Sequence, residues 1–253
     1  MANLEDIVAF LDSFLDSGSI HDYPGAANGL QIENSGAVSR VVAAVDASAP
    51  VIESAAAVPG TLLIVHHGMF WQPVNAITGP VRRKIKTAFD ADLALYSSHL
   101  PLDLHPDCGN NILLARALGL RDTVSLPPDS KSGLSMGLQG NWEGTRGDFL
   151  GVVAEAVGGP VHHCPGGKKH VRRVALISGG AGSEVGSAAA AGADTFVTGE
   201  GPHWSYPLAE ELGINVVYAG HYATETFGVR ALVGRVAEDF ALDFEFIDRP
   251  TGL

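Results

Sequence analysis

One feature limits the fold more than any other: short apolar runs alternate with segments of helical periodicity, and the runs end on polar or glycine-rich turns. Val41-Val-Ala-Ala-Val45 ends at Asp46, Thr61-Leu-Leu-Ile-Val65 ends at His66-His67-Gly68, and Leu93-Ala-Leu-Tyr96 ends near His99 and Asp103. Helices are predicted over 50–58, 80–91 and 110–119. Runs with no inside/outside alternation belong to strands buried on both faces, as in mostly parallel sheets covered by helices. An opening helix is marked by Leu4, Ile7, Val8, Leu11, Phe14 and Leu15 at helical spacing, with Asn3 as its cap. The breaker-rich stretch 23–29 follows as a loop.

Residues 121–147, with Pro127-Pro128 and several glycines and serines, interrupt this rhythm and mark a boundary. The alternation then resumes. A helix is predicted over Phe149–Val157, and a strand over Val171–Ile177 ends at Ser178-Gly-Gly-Ala-Gly182. A small-residue helix over 183–191 leads to a strand, Asp194–Val197, ending at Thr198-Gly-Glu200. A helix over 203–212 precedes the strand Ile214–Tyr218, which ends at Gly220-His221. A helix from 224 to 240 and a last strand, Phe244–Ile247, close the chain. The expected fold is α/β in two similar strand-helix halves with mostly parallel sheets. Residues 1–122 carry His66, His67 and Asp103, and residues 123–253 carry His221 and Glu225. The rhythm suggests an internal structural repeat with little residue identity, and it leaves the strand order open.

Composition narrows the partners. The 253 residues are 46% hydrophobic and 17% charged, enough for a substantial core. A formal net charge of -12 repels phosphate backbones and anionic lipid, which argues against nucleic acid and membrane partners. The nearest approach to a basic patch, Arg82, Arg83, Lys84 and Lys86, reads as a solvated helix face. Cys108 and Cys164 do not make a disulfide framework. No apolar run approaches the ~18 residues of a membrane span, and the first residues are acidic, unlike a signal peptide. A cytoplasmic location is expected.

The residues able to do chemistry, His66, His67, His99, Asp103, Glu200 and His221, fall just after strands, where open α/β sheets bind ligands. Adjacent residues of a regular strand point to opposite faces. At the strand's end, with Gly68 next, the backbone can turn so that His66 and His67 face one cavity; otherwise one is buried for structure and the other exposed. His221 and Glu225, four apart, share a helix face if a helix begins near 221; the plainer reading is a capping turn with a surface Glu. Pro101 stiffens the loop that would present Asp103. His99 fits a ligand role, but an outer partner bracing the ligands or the loop is favoured. Glu200 is read as bordering the site or supporting a ligand. Trp71 and His203 either border the cavity on the substrate side or serve packing and surface.

Three imidazoles and two carboxylates suit two divalent ions of the Zn, Fe, Mn, Co or Ni type, with Glu225 able to bridge them. Water on such ions ionises near neutral pH, which is a route to hydrolysis. The turn Ser178-Gly-Gly-Ala-Gly-Ser183 has the look of a phosphate cradle. It has Val185 where a dinucleotide fingerprint needs its third Gly, so a tight strand-helix turn is favoured. His162-His-Cys164 between two prolines reads as a surface loop.

Together His66-His-Gly-Met-Phe-Trp71, His99-Leu-Pro-Leu-Asp103, Gly109-Asn-Asn111, Thr198-Gly-Glu200 and Gly220-His-Tyr-Ala-Thr-Glu-Thr-Phe-Gly228 resemble the Nif-three-like dinuclear metal-centre family, also called the GTP cyclohydrolase 1 type 2 family. Asn28-Gly-Leu-Gln31 fits its N-terminal motif, although Ala26-Ala27 stand where some relatives carry Trp-Asp. The likeness spans essentially the whole chain and is that of the short bacterial form. It implies metal ligands at His66, His67, Asp103, His221 and Glu225. One ion would take His67 and Asp103, the other His66 and His221, with Glu225 shared. It also implies a ring-shaped homohexamer. The expected function is a metal-dependent hydrolase of a small molecule, ring opening of GTP being one version, with the substrate unassigned. The alternative is a non-catalytic protein that binds, stores or delivers metal, or a regulatory partner.

Overall fold

The apolar runs fold as strands, and several short polar segments join them. A computed structural model describes residues 1–71, 76–128 and 133–253. Of the stretch expected to break the rhythm, residues 129–132 lie outside the described residues. In chain order the strands are β1 (Ala2–Asn3), β2 (Gly29–Ile32), β3 (Ala37–Val38), β4 (Arg40–Asp46), β5 (Thr61–His67), β6 (Ala94–Ser97), β7 (Arg121–Ser125), β8 (Leu138–Thr145), β9 (His162–Pro165), β10 (His170–Leu176), β11 (Thr195–Thr198), β12 (Asn215–Tyr218) and β13 (Asp243–Phe246). The chain divides into two compact units, Met1–Leu102 with Gly228–Arg249, and Asp103–Phe227 with Pro250–Leu253.

The first unit holds a five-stranded sheet in the order β13-β4-β5-β6-β2, and β1 pairs with β3 apart from it. Its pairings are parallel from β13 to β6, and β2 closes the edge antiparallel. Parallel neighbours need crossovers, and the helices Ala49–Ala55 and Gly79–Asp90 supply two of them. Because Val42, Ala44, Leu63, Val65 and Leu95 pack with Val51 and Ile52, one sheet face is dry. The opening helix, Leu4–Phe14, is capped as expected: the Asn3 side chain accepts a hydrogen bond from Glu5 N at 2.7 Å.

In the second unit the sheet order is β7-β8-β10-β11-β12-β9. Only its centre, β10-β11-β12, is parallel; β7, β8 and β9 pair antiparallel on its flanks. Alternation sorts its residues between two cores. Ala175, Ile177, Phe196 and Val216 meet Val185, Ala188 and Ala209 on one side. Val174, Leu176, Val197 and Val217 meet Leu114, Phe149 and Val153 on the other. His162-His-Cys164, expected as a surface loop, is instead the edge strand β9, with Cys164 buried. The chain is therefore of the mixed α/β class with partly parallel sheets. Among the described residues, no helix is long and apolar enough to cross a membrane.

Candidate metal site

In the first unit the site begins where β5 ends. Register pairs Asp46 with His67 and Val65 with Ser97, so three strand ends lie side by side. His66 is fully buried, and its Nδ1 donates to the Ser98 carbonyl at 2.9 Å. His67 is half-buried, and its Nδ1 donates to Asp46 Oδ1 at 2.8 Å. Despite being neighbours on a strand, the two rings lie 4.7 Å apart between centroids. The ring nitrogens of His66, His67 and His99 offer donor atoms within 4.8 Å of one another. Trp71 closes this group, edge-on to His99 at 4.7 Å and 5.6 Å from His67.

β2 and the segment before it hold this cluster in place. Gln31 accepts from Met69 N at 2.7 Å, directly after the His66-His67-Gly68 turn. A Cβ on Gly68 would lie 2.3 Å from the Gln31 amide, so a larger residue there would displace the Gln31 side chain from Met69 N. Asn28 accepts from His99 N at 2.8 Å and donates to Asp22 Oδ2 at 2.9 Å. Asp22 in turn accepts from His99 Nδ1 at 2.9 Å and from Leu100 N at 3.0 Å. Burial by itself would raise the Asp22 carboxyl. The hydrogen bond and charge of His99, with the Asn28 and Leu100 donors, outweigh burial and hold it at about 2.

In the second unit the carboxylates are held as tightly. Buried Asp103 accepts through Oδ1 from Asn110 Nδ2 at 2.8 Å and from Ser178 Oγ at 3.2 Å. His221 opens a single helical turn, His221–Thr224, and its Nε2 lies 3.2 Å from Glu225 Oε1. Glu200 Oε1 accepts from His221 Nδ1 at 2.8 Å. The glycine-rich turn after β10 lies against this pair. Gly179 has φ +68°, and a Cβ there would stand 2.3 Å from Glu225 Oε1, so only glycine leaves the carboxylate its place. The Glu225 hydrogen bond lifts the His221 imidazole to about 9, against the opposing effect of burial, and Glu200 adds to the rise. His203 stands apart, exposed before the helix Ser205–Leu212.

The donor chemistry fits divalent metal. His66, His67 and His221 each give the Nδ1 proton to a carbonyl or carboxylate. That orients Nε2 of each ring toward an ion, the usual outer support of a metal-bound imidazole; the His221 ring, a cation between Glu200 and Glu225, would give up its Nε2 proton as metal binds. Sequence reasoning missed Asp46, Ser98, Asp22, Asn28, Asn110 and Ser178 as partners. Asp46 carried a signal, as the polar residue ending a strand. Asp22 carried none, being 77 positions from His99 in a loop.

A family model described as Duf34/NIF3 (NGG1p interacting factor 3) matches residues 2–251. A protein of Deinococcus radiodurans named "GTP cyclohydrolase 1 type 2 homolog" is 39% identical over 251 residues, covering 98% of this chain and 94% of its own length. The crystal structure of TTHA1606 from Thermus thermophilus is similar at a TM-score of 0.88 and 38% identity, each chain covered in full. A structure titled "protein ybgI, unknown function" is similar at a TM-score of 0.92 and 34% identity, again covering both chains in full.

Proposed function

This chain belongs to the Duf34/NIF3 family, and from that premise we propose that it is a dinuclear metal-binding protein acting as a metal-dependent hydrolase on a small, nucleotide-like substrate. The observation that carries the reading is the anchoring of three imidazoles through Nδ1 by Ser98, Asp46 and Glu200. The proposed ligands are His66, His67, Asp103, His221 and Glu225, with Glu225 shared between the ions. Divalent ions bound there would supply Lewis acidity at neutral pH.

The chain's own residues have separate tasks. Asp46, Ser98 and Glu200 hold protons at Nδ1 and keep each ring oriented. Asn110 and Ser178 hold Oδ1 of Asp103, which leaves the carboxylate's direction fixed. Trp71 packs against His67 and His99 and would border the substrate side of the imidazole group. The name of the Deinococcus relative makes GTP ring opening one concrete version of the reaction. The resemblance also supports a homohexamer in the cytoplasm, which sedimentation and fractionation would read directly.

Metal analysis tests the reading. The purified chain is expected to hold about two divalent ions per subunit. His67→Ala and Glu225→Gln should each lose metal and abolish hydrolysis across a panel of GTP, phosphoesters and cyclic amides. Full metal content in both variants would sink the ligand assignment. Metal loss without any turnover by the wild type would leave the non-catalytic, metal-binding or regulatory alternative.

A further inference from the structure

Four cations cluster on the helix Gly79–Asp90, and the sequence reads them as one solvated face. The structure separates one of them. Arg82, Arg83 and Lys86 are exposed, and Lys86 pairs with Asp90 one turn on. Lys84 instead turns inward, half-buried, and its Nζ donates to the Ala47 carbonyl at 3.0 Å. Ala47 follows the last residue of β4, and its own N–H donates to the His67 carbonyl at 2.9 Å. The ammonium thus stands at the carboxyl ends of β4 and β5, one residue past the Asp46 that holds His67.

Its charge is not matched. Among the described residues, Lys84 forms no ion pair, and the nearby Asp46 carboxylate already accepts from His67. Burial lowers the Lys84 pKa with no acid opposing it. A chain with 28 acidic residues has ample means to neutralise a half-buried ammonium, yet gives this one only a carbonyl. Even partial burial of a cation without a countercharge carries a cost, and a bound anion offsets part of it.

We propose that Lys84 is the anion subsite of this centre, binding the phosphate group of a small-molecule substrate at the ends of β4 and β5. An ammonium has three donors. Ala47 takes one, and two remain for phosphate oxygens as charge-assisted hydrogen bonds. A single inward cation on a chain of net charge -12 suits a mononucleotide-sized ligand and not a polyanion. Assigning this ammonium to the same ligand rests on the metal-site reading above, whereas its affinity for phosphate can be measured without metal.

The test is titration of the whole chain with inorganic phosphate, followed by calorimetry, for wild type, Lys84→Met and the surface control Lys86→Met. Each protein is measured metal-loaded and after chelation. Lys84→Met is expected to weaken phosphate binding roughly tenfold or more in both states, with metal content unchanged and Lys86→Met within about twofold of wild type. A merely structural lysine would move the melting temperature and leave the phosphate affinity alone. A Lys84→Met effect below threefold, equal losses in both variants, or no phosphate binding by wild type overturns the proposal. Lys84-dependent binding in the chelated chain, alongside failure of the metal analysis, would sink the metal reading and leave this subsite standing.

Discussion

Asp22 has 4% of its side chain exposed and accepts hydrogen bonds from His99, Asn28 and Leu100. Such a carboxylate stabilises the fold through its charge. Its folded value, about 2, lies below the ordinary 3.8, so its contribution is complete above the ordinary range and is lost as pH falls through about 2. Asp22→Asn is therefore expected to lower stability at pH 7 by about 2 kcal/mol, the size of a hydrogen bond to a charged group. In urea titrations the gap between variant and wild type should narrow steadily below pH 4. A gap that stays constant down to pH 2 would mean the charge of Asp22 is irrelevant. Asp22 also marks where reading a sequence stops at this scale. His66, His67 and His221 could be singled out because each follows an apolar run, a local signal. Of the groups that hold them, Asp46 and Glu200 also follow apolar runs, whereas Ser98, 32 positions from His66, is a polar residue of an ordinary kind that nothing local distinguishes.

At the scale of elements, legibility follows burial. β4 and β5 are buried along almost their whole length, and such runs stand out as unbroken apolar letters. β7, Arg121–Ser125, is nearly all exposed, and β2 and β9 are four-residue edges, so their backbones pair without an apolar signature. The antiparallel flanks of the second sheet were thus hidden, while its parallel centre was visible. β5 also carries a mechanical consequence. Leu63 is fully buried in the core formed with Val51 and Ile52, two turns of pleat before His67. Leu63→Ala is expected to cost about 2–5 kcal/mol in denaturant unfolding, through lost burial and the cavity left behind. Metal content of the folded variant should stay at the wild-type level, because the paired residues between β4 and β5 fix the register of His66 and His67 independently of that side chain. Parallel loss of metal and stability would show that core packing, not register, sets the histidines.

At the scale of the whole molecule, the strand-helix rhythm orders the elements along the chain but does not say which sheet takes the last one. β13 pairs in parallel with β4, residues Asp243–Phe246 against Arg40–Ala43, so sequence neighbours from the far end complete the first sheet. Arg40 reinforces this with an ion pair to Glu245 at 3.1 Å, and Phe240 packs edge-on to Phe10 at 5.7 Å. The helix Thr226–Phe240 buries Val229, Leu232, Val233 and Val236 fully. A boundary at residue 122 and the division into 1–102 with 228–249 therefore make opposite forecasts for fragments. Without residues 228–249, β4 becomes an uncovered edge whose Val41–Val45 side chains are otherwise buried, a template for aggregation. A fragment of residues 1–122 is expected to lack a cooperative thermal transition by circular dichroism and to associate in sedimentation. Residues 103–227, which carry both faces of the six-stranded sheet, are expected to unfold cooperatively as a monomer. A cooperative, monomeric 1–122 fragment would show that the boundary read from the rhythm is the one that governs folding, and that β13 is an ornament of the first sheet and not a requirement for it.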